Sequence, residues 1–179
     1  MIYEFLADGF EEVEALTPLD MLIRSGAEIK TVSITSSKEV VGAHGITVKA
    51  DLTIDEVKEK PKLVILPGGI PGALNLRESK VVCNTVKDTY ENGGFVAAIC
   101  AAPFILGELG LLDGREAICY PGFEDRLYGA KISEKKVVSD GRIITAAGMG
   151  VAQEFGAELI AALFGEEKAK SVLRAILAT

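Results

Sequence analysis

Gly94-Phe-Val-Ala-Ala-Ile-Cys100-Ala-Ala-Pro103 is an apolar run that stops at a cysteine and continues into a helical pattern. The run Phe95–Ile99 predicts a buried strand, and Pro103 is typical of the first turn of a helix, where its missing N–H costs nothing. A nucleophile on a sharp turn between strand and helix needs small neighbours, because the strained backbone is crowded, and alanines flank this cysteine. The segment therefore predicts a strand, a turn that carries Cys100, and a helix.

Cys100 has two interpretations at this point. The start of the following helix favours thiolate over thiol, so the turn predicts a reactive cysteine whose pKa lies below that of a free thiol. Cysteine is also among the most buried residue types and often acts only as a small hydrophobe. The usual nucleophile turn has glycines where this chain has alanines, so the segment alone leaves both interpretations open.

Strand-like and helical patterns alternate along the rest of the chain. We expect strands over 2–6, 29–34, 63–66, 95–99, 116–119, 136–138 and 142–145, and short strands or a hairpin within 40–48. We expect helices over 11–25, 79–90, 103–109, 152–164 and 166–177, the first of which either kinks at Pro18 or restarts there with Thr17 as its cap. Such alternation favours a mostly parallel sheet with helices on both faces. The prediction is one α/β domain, residues 1–179, with the flavodoxin-like three-layer α/β/α architecture.

Composition limits the function. Among 179 residues 49% are hydrophobic and 25% charged, which is typical of a globular domain, and the net charge of −7 disfavours nucleic acid as a partner. No apolar run reaches the roughly 18 residues that span a bilayer. The chain starts directly with a strand-like pattern, so we expect no signal peptide, no membrane contact and a cytoplasmic location. Three widely spaced cysteines and one histidine predict no disulfide framework, no metal and no cofactor.

Two further segments are expected at the carboxyl ends of parallel strands, where such folds bind ligands. Pro67-Gly68-Gly69 ends a buried strand, and it is either a plain turn or one half of an oxyanion hole completed by the N–H of Ala101. Glu11, Glu12 and Glu14 begin a predicted helix. The helix dipole explains the first two acids, whereas Glu14 lies inside the pattern and is the candidate proton carrier beside Cys100.

Three segments recur in this order and spacing in the ThiJ/PfpI superfamily: Asp8-Gly-Phe-Glu-Glu-Val-Glu14, Leu66-Pro-Gly-Gly69 with Gly72-Ala-Leu-Asn-Leu76, and Ala97-Ala-Ile-Cys-Ala-Ala-Pro103. The chain resembles this superfamily over essentially its whole length, and within it the branch of the parkinsonism-associated protein deglycase and its bacterial relatives. The resemblance implies a flavodoxin-like fold and a homodimer. It also implies a reactive Cys100, a protonated Glu14 beside it, and backbone N–H donors from Gly69 and Ala101.

The same resemblance suggests residues of the pocket and the interface, and it shows one departure. Gly68 and Arg24 match pocket positions, and Arg24 is a candidate to hold a small anion. Many relatives have a histidine before a proline near the cysteine, whereas this chain has Tyr120 before Pro121. A Cys–His dyad is therefore absent from this segment, which disfavours a peptidase. His44 either reaches the partner subunit's pocket or is a solvent-exposed turn residue.

The resemblance favours an enzyme that acts on small reactive dicarbonyls such as methylglyoxal. Cys100 would add to the aldehyde, Glu14 would move protons, and water would release the acid, without metal or glutathione. Repair of glycated protein or nucleotides, a deglycase activity, would use the same adduct chemistry. The alternative is an oxidative-stress-responsive or chaperone-like protein whose Cys100 is oxidised to sulfinate. A low-pKa thiol serves both roles, so both hypotheses remain open at this point.

Overall fold

Strands and helices alternate along the chain in a computed structural model that describes residues 1–178. The strands are β1 (Ile2–Leu6), β2 (Ile29–Ser33), β3 (Glu39–Val41), β4 (Thr47–Lys49), β5 (Leu52–Thr53), β6 (Leu63–Leu66), β7 (Phe95–Ile99), β8 (Glu116–Ala117), β9 (Lys131–Ile132), β10 (Val137–Asp140) and β11 (Ile143–Ala146). The α-helices are α1 (Glu12–Arg24), α2 (Gly72–Glu78), α3 (Lys80–Glu91), α4 (Pro103–Glu108), α5 (Ala152–Phe164) and α6 (Glu166–Ala175). Short 3₁₀ turns cover Ile54–Glu56, Glu124–Arg126 and Met149–Val151.

Seven strands form the central sheet, in the order β10-β11-β7-β6-β1-β2-β5. Every neighbouring pair is parallel except β10 and β11, which form an antiparallel hairpin at one edge. The predicted fold class, a mostly parallel sheet of the flavodoxin-like type, is confirmed. The hairpin predicted within 40–48 is the antiparallel pair β3 and β4.

Two apolar layers cover the two faces of the sheet, because successive side chains of a buried strand point to opposite sides. On one face Tyr3 and Phe5 of β1 join a core formed with α2, α3 and α4. On the other face Ile2 joins a core formed with α1, α5 and α6. All five residues of β1 are buried, as expected for a strand covered on both faces.

The carboxyl ends of β1, β6, β7 and β11 lie side by side at one edge of the sheet. The segments that follow these strands therefore meet there: the loop before α1, the Gly68–Gly69 turn, the Cys100 turn and the Met149–Val151 turn. This placement is what brings distant parts of the sequence together at a single site.

The structure differs from the sequence expectations in three places. The first helix runs unbroken through Pro18, and Glu11 precedes it as the N-cap, its carboxyl accepting the Glu14 N–H at 2.7 Å. Helix α2 follows the Gly-Gly turn, over residues for which no helix was expected. Strands β5 and β9 were not expected, because two residues are too few to show an alternating hydrophobic pattern.

Candidate functional site

Cys100 lies at a strained turn directly after β7. Its φ angle is +64°, in the left-handed region that non-glycine residues seldom adopt. Two backbone hydrogen bonds fix this conformation: the Cys100 N–H donates to the Ala146 carbonyl at 2.9 Å, and the Cys100 carbonyl accepts from the Tyr120 N–H at 2.7 Å. Strain of this kind is held in place by its surroundings and is concentrated at functional sites. The half-buried thiol is thereby aimed at the carboxyl edge of the sheet.

Backbone N–H groups of Gly69 and Ala101 form hydrogen bonds to the Cys100 sulfur, and both lower its pKa. Gly69 adopts φ +88°, and a Cβ at this position would lie 2.5 Å from the Glu11 nitrogen. Only glycine fits between β6 and the loop before α1 while turning its N–H toward the sulfur. Two donors therefore converge at the point where negative charge on sulfur, or on an adjacent oxygen, would develop.

The Glu14 carboxyl is the acidic group at this site. It is 1% exposed and accepts a hydrogen bond from the Gly68 N–H at 3.1 Å. The Met149 N–H is a further donor to it, and a side-chain hydrogen bond joins it to Cys100. The first turn of α1 thus brings the carboxyl across the Gly68 turn to the sulfur.

The two groups shift each other's pKa. Burial raises the pKa of Glu14 to about 7, so the carboxyl takes up a proton near neutral pH. Burial, the charge of Glu14 and its hydrogen bond raise the pKa of the Cys100 thiol to about 12. The expectation from the sequence that the thiol pKa is lowered is therefore wrong while Glu14 is ionised. Burial and the Glu14 charge raise this pKa by more than the two backbone N–H donors lower it. A protonated Glu14 would instead donate to the sulfur, so the pair titrates as a unit that shares one proton.

Gly68 is the close-packed point between these two side chains. A Cβ on Gly68 would lie 2.5 Å from the Glu14 carboxyl oxygen and 2.6 Å from the Cys100 Cβ. Those separations are well inside van der Waals contact, so any side chain here would push the acid and the thiol apart. The absence of a side chain at Gly68 therefore keeps the carboxyl and the sulfur in contact.

The comparisons with known proteins fit this geometry. The model of the DJ-1/PfpI family matches residues 1–162. This chain belongs to the DJ-1/PfpI family. It is 33% identical to "Glutathione-independent glyoxalase DJR-1.2" of Caenorhabditis elegans, over 92% of this chain and 88% of the relative. The structure of "Toxoplasma gondii DJ-1, oxidized" superposes with a TM-score of 0.95 and 35% identity, covering 98% of this chain and 97% of that one.

A third family member differs in length. "Protein DJ-1 homolog A" of Arabidopsis thaliana is 39% identical over 96% of this chain but only 45% of its own length. The chain therefore spans about half of that relative, and a second relative from the same plant is matched over 39% of its length.

His44 pairs with Glu12 at the start of α1. Its backbone N–H donates to one Glu12 oxygen at 2.8 Å, and its Nδ1 lies 2.6 Å from the other. The hydrogen bond to Glu12 and the Glu12 charge raise the pKa of His44. In turn, the hydrogen bonds and charge of His44 lower the pKa of Glu12, although burial of the Glu12 carboxyl acts in the opposite direction. The His44 side chain is 69% exposed, so within one chain it lies at the surface and outside the Cys100 contact.

Among the other expected pocket residues, the structure places some beside Cys100 and Glu14 and others away from them. A Cβ on Gly148 would lie 3.4 Å from the Tyr120 ring and 3.8 Å from a Glu14 carboxyl oxygen, so Tyr120 borders the site. Pro121 follows it at the exposed surface. Arg24 is paired with Asp20 at 2.6 Å, and its place on α1 is about 15 Å along the helix axis from Glu14. Within one chain the structure therefore does not bring Arg24 to the cysteine.

Sequence reasoning missed Met149 and Ala146 as members of the site. Both act through main-chain groups, so their residue types carry no signal. The position of β11 next to β7 is the feature that brings them there, and a parallel partner for β7 was not assigned from the sequence.

Glu11, Glu12 and His44 are the group with metal-ligand composition within residues 1–178, their nearest donor atoms lying within 4.8 Å of one another. Glu11 already caps α1, and both Glu12 oxygens are bonded to His44, so we assign no metal there. Across those same residues, no helix combines the length and apolarity needed to cross a bilayer.

Proposed function

We propose that Cys100 and Glu14 are the nucleophile and proton carrier of an enzyme that converts small dicarbonyls such as methylglyoxal to hydroxy acids, without metal or glutathione. The observation that carries the proposal is the contact of the Cys100 sulfur with the Glu14 carboxyl, beneath the N–H groups of Gly69 and Ala101. A relative that is 33% identical bears the name of a glutathione-independent glyoxalase. The substrate is small, and we expect no nucleic acid or membrane partner.

The first step is addition of sulfur to the aldehyde. With one proton shared, the reactive form has a protonated Glu14 and a Cys100 thiolate. The thiolate forms a C–S bond to the aldehyde carbon, and Glu14 gives its proton to the aldehyde oxygen. The product is a hemithioacetal, and Glu14 is left as a carboxylate. The N–H groups of Gly69 and Ala101 hold the negative charge as it leaves the sulfur for oxygen.

The second step moves hydrogen between the two carbons. Ionised Glu14 removes the C–H proton of the hemithioacetal carbon, and the electron pair moves toward the ketone oxygen to give an enediolate. Glu14 returns this proton to the former ketone carbon, and the hydroxyl proton of the sulfur-bearing carbon passes to the neighbouring oxygen, which gives a 2-hydroxy thioester on Cys100. One carbon is oxidised and its neighbour reduced, so no external oxidant or reductant enters. Water then attacks the thioester, and the C–S bond breaks to release lactate and the thiol.

Methylglyoxal turnover without glutathione tests the proposal. Wild-type protein should produce lactate, and Cys100→Ser should fall to background because a hydroxyl of ordinary pKa is a weak nucleophile. Cys83→Ser is the matched control, since Cys83 is a buried thiol on α3 outside the site. The proposal fails if wild type is no faster than Cys100→Ser, or if Cys100→Ser retains wild-type turnover.

A second function uses the same residues. Oxidation of Cys100 to sulfinate by a peroxide would place oxygens where the N–H groups of Gly69 and Ala101 and a protonated Glu14 can donate to them. The observation that favours it is the structural neighbour described as oxidised, at 35% identity. Mass spectrometry after peroxide treatment should find two added oxygens on Cys100 before Cys83 or Cys119. Equal oxidation of all three would exclude it.

A further inference from the structure

Tyr120 is an exposed aromatic residue that the proposed reaction does not use. It is 52% exposed, so its ring contributes little to the core. Its main chain nevertheless belongs to the site, because the Tyr120 N–H donates a hydrogen bond to the Cys100 carbonyl at 2.7 Å. A large ring that is held beside a reactive thiol and left uncovered is available to a ligand.

A tight turn fixes the position of this residue. The segment Tyr120-Pro-Gly-Phe123 closes with a hydrogen bond from the Phe123 N–H to the Tyr120 carbonyl at 3.2 Å. Gly122 adopts φ +97°, and proline followed by glycine in a left-handed conformation is typical of a type II turn. The Phe123 ring stacks on Phe104 of α4, with the ring centroids 6.1 Å apart. Tyr120 is therefore anchored both to the reactive turn and to the helix that follows it.

The Tyr120 ring lies across a small space from the acid of the site. The position that a Cβ on Gly148 would occupy is 3.4 Å from the ring and 3.8 Å from a Glu14 carboxyl oxygen. These are ordinary van der Waals separations, so one carbon group can contact both the ring and the carboxyl. Because the carboxyl is also hydrogen-bonded to Cys100, a substituent of a molecule bound at the sulfur can extend to the ring.

The charges around this space disfavour anions. The charge of Glu11 raises the pKa of Glu14, and no basic side chain is among the main groups that shift the pKa of Glu14 or Cys100. The two basic residues that the sequence suggested for the pocket, Arg24 and His44, are paired with other acids. The described residues of one chain therefore surround the reacting pair with neutral and negative groups, which repel an anionic ligand.

We propose that Tyr120 is the specificity-determining residue of this site, and that its ring forms the wall of a subsite for uncharged 2-oxoaldehydes with an apolar, above all aromatic, substituent. An aromatic substituent can stack on the ring and bury apolar area there. Glyoxal has no substituent and a 2-oxo acid carries a charge, so neither uses the subsite. The turnover of such substrates rests on the proposed function, whereas the selection of ligands at Cys100 does not.

Alkylation of Cys100 by two neutral bromoketones tests the subsite without turnover. Phenacyl bromide and bromoacetone carry the substituents of phenylglyoxal and methylglyoxal. Mass spectrometry of the Cys100 peptide gives both rates at one alkaline pH, and their ratio is divided by the same ratio for N-acetylcysteine. Wild type should prefer the phenyl group by about 2- to 10-fold, as expected for one aromatic contact. Absence of this preference overturns the proposal.

Three variants assign the preference to the ring. Tyr120→Phe keeps the ring and should keep the preference, whereas Tyr120→Ala should lose it. Tyr128→Ala is the matched control, since Tyr128 is 57% exposed and its backbone lies beside Gly107, near the other end of α4. The urea midpoint should stay close to wild type in all three, because each ring is exposed. Retention of the preference in Tyr120→Ala overturns the proposal.

Gly148→Ala tests where the substituent lies. The added methyl group would occupy space between the Tyr120 ring and the Glu14 carboxyl, so alkylation by phenacyl bromide should slow more than alkylation by bromoacetone. Gly150→Ala is the control, because a Cβ there meets nothing within 4 Å. An unchanged ratio in Gly148→Ala would place the phenyl group elsewhere and overturn the subsite.

The selection against charge has its own test. Iodoacetate and iodoacetamide are similar in size, and only the first is an anion. Relative to their ratio with N-acetylcysteine, iodoacetate should alkylate Cys100 more slowly than iodoacetamide, because it meets like charge. A ratio equal to or above that reference overturns the selection for uncharged ligands.

Turnover separates this inference from the proposed function. The kcat/KM for phenylglyoxal relative to that for glyoxal should fall in Tyr120→Ala and recover in Tyr120→Phe. Turnover with an unaltered ratio in Tyr120→Ala overturns this inference alone. If wild type turns over neither dicarbonyl while the bromoketone preference is intact, the proposed function fails and the subsite stands.

Discussion

The Gly68 N–H donates a hydrogen bond to the Glu14 carboxyl at 3.1 Å, across 54 residues of sequence. The same glycine has no room for a side chain, because a Cβ would meet both that carboxyl and the Cys100 Cβ. One residue therefore supplies a donor to the acid and leaves the space in which acid and thiol touch. The Gly-Gly turn after β6 shapes the site by its main chain alone.

Gly68→Ala should separate Glu14 from Cys100 and abolish most turnover while the protein still folds. The added methyl group requires the acid or the thiol to move by several tenths of an ångström, and such misplacement typically costs about 100-fold in rate. Methylglyoxal turnover and the urea midpoint measure the two effects. Gly150→Ala is the matched control, since a Cβ there meets nothing within 4 Å. Wild-type turnover in Gly68→Ala would contradict the importance of the contact.

Alkylation of Cys100 by iodoacetamide should be slow at neutral pH and rise only in alkaline solution, because burial, the Glu14 charge and its hydrogen bond raise the pKa of the thiol to about 12. Glu14→Gln and Glu14→Ala both remove the carboxylate charge, so the midpoint of the rate should move down in each variant. Glu12→Gln, whose carboxyl faces His44, is the control and should not shift the midpoint. An unchanged midpoint in Glu14→Gln means that the two groups are not coupled.

The raised pKa of Glu14 predicts a pH dependence of stability. Its pKa is about 7 in the folded protein and 4.5 in the unfolded chain, so the fold holds the extra proton between these values. That stabilisation is complete below pH 4.5 and is lost as pH rises through 7, a change of about 3 kcal/mol. Urea unfolding from pH 4.5 to 7.5 should show a decline that is smaller in Glu14→Gln. Glu78→Gln, on the exposed side of α2, should keep the wild-type slope; an equal slope in Glu14→Gln would contradict the shift.

Side-chain patterns predicted the central sheet well, because β6 and β7 are apolar runs with a proline or a glycine next to them, and β1 is apolar except for Glu4. The run before Cys100 identified the strained turn, and the observed φ of +64° agrees with it. The two-residue strands β5 and β9 were not predicted. They are too short to show an alternating hydrophobic pattern, and they are strands only because they pair with β2 and β8.

The site was predicted only in part, because much of it is main chain and environment. Cys100 and Glu14 carry distinctive side chains, and their roles remain proposals. The N–H of Met149 and the carbonyl of Ala146 belong to residues without such a signal. The thiol pKa was misjudged because burial and the Glu14 charge depend on packing, and a local helix-end argument does not include them.

The His44–Glu12 pair should be visible by NMR. The hydrogen bond to Glu12 and its charge raise the pKa of His44 above its usual value, so the ring should stay protonated to higher pH than a free histidine. The pairing is lost as pH rises through that pKa. Glu12→Gln should return the His44 titration toward the ordinary value, and Glu11→Gln should lower it less, because Glu11 makes the smaller contribution. A free-histidine titration in the wild type would show that the pair does not form in solution.

A symmetric dimer should form through the outer face of α1. Val13 of this helix lines one surface cavity with Met149 and another with Ile46, and all three apolar side chains are exposed. Exposed apolar side chains grouped in this way are typical of a subunit interface. An interface there would place His44, two residues before Ile46, close to the partner subunit. Light scattering at micromolar concentration should give twice the chain mass of 19.0 kDa.

Two matched substitutions test which face forms this dimer. Val13→Lys should shift the mass toward the monomer, because a charge would be buried at the interface. Val81→Lys adds the same charge to an exposed valine of α3, on the opposite face of the sheet, and should leave the dimer intact. A monomeric wild type would contradict the dimer itself. Dissociation by Val81→Lys but not by Val13→Lys would place the interface on the other face and remove His44 from the partner's site.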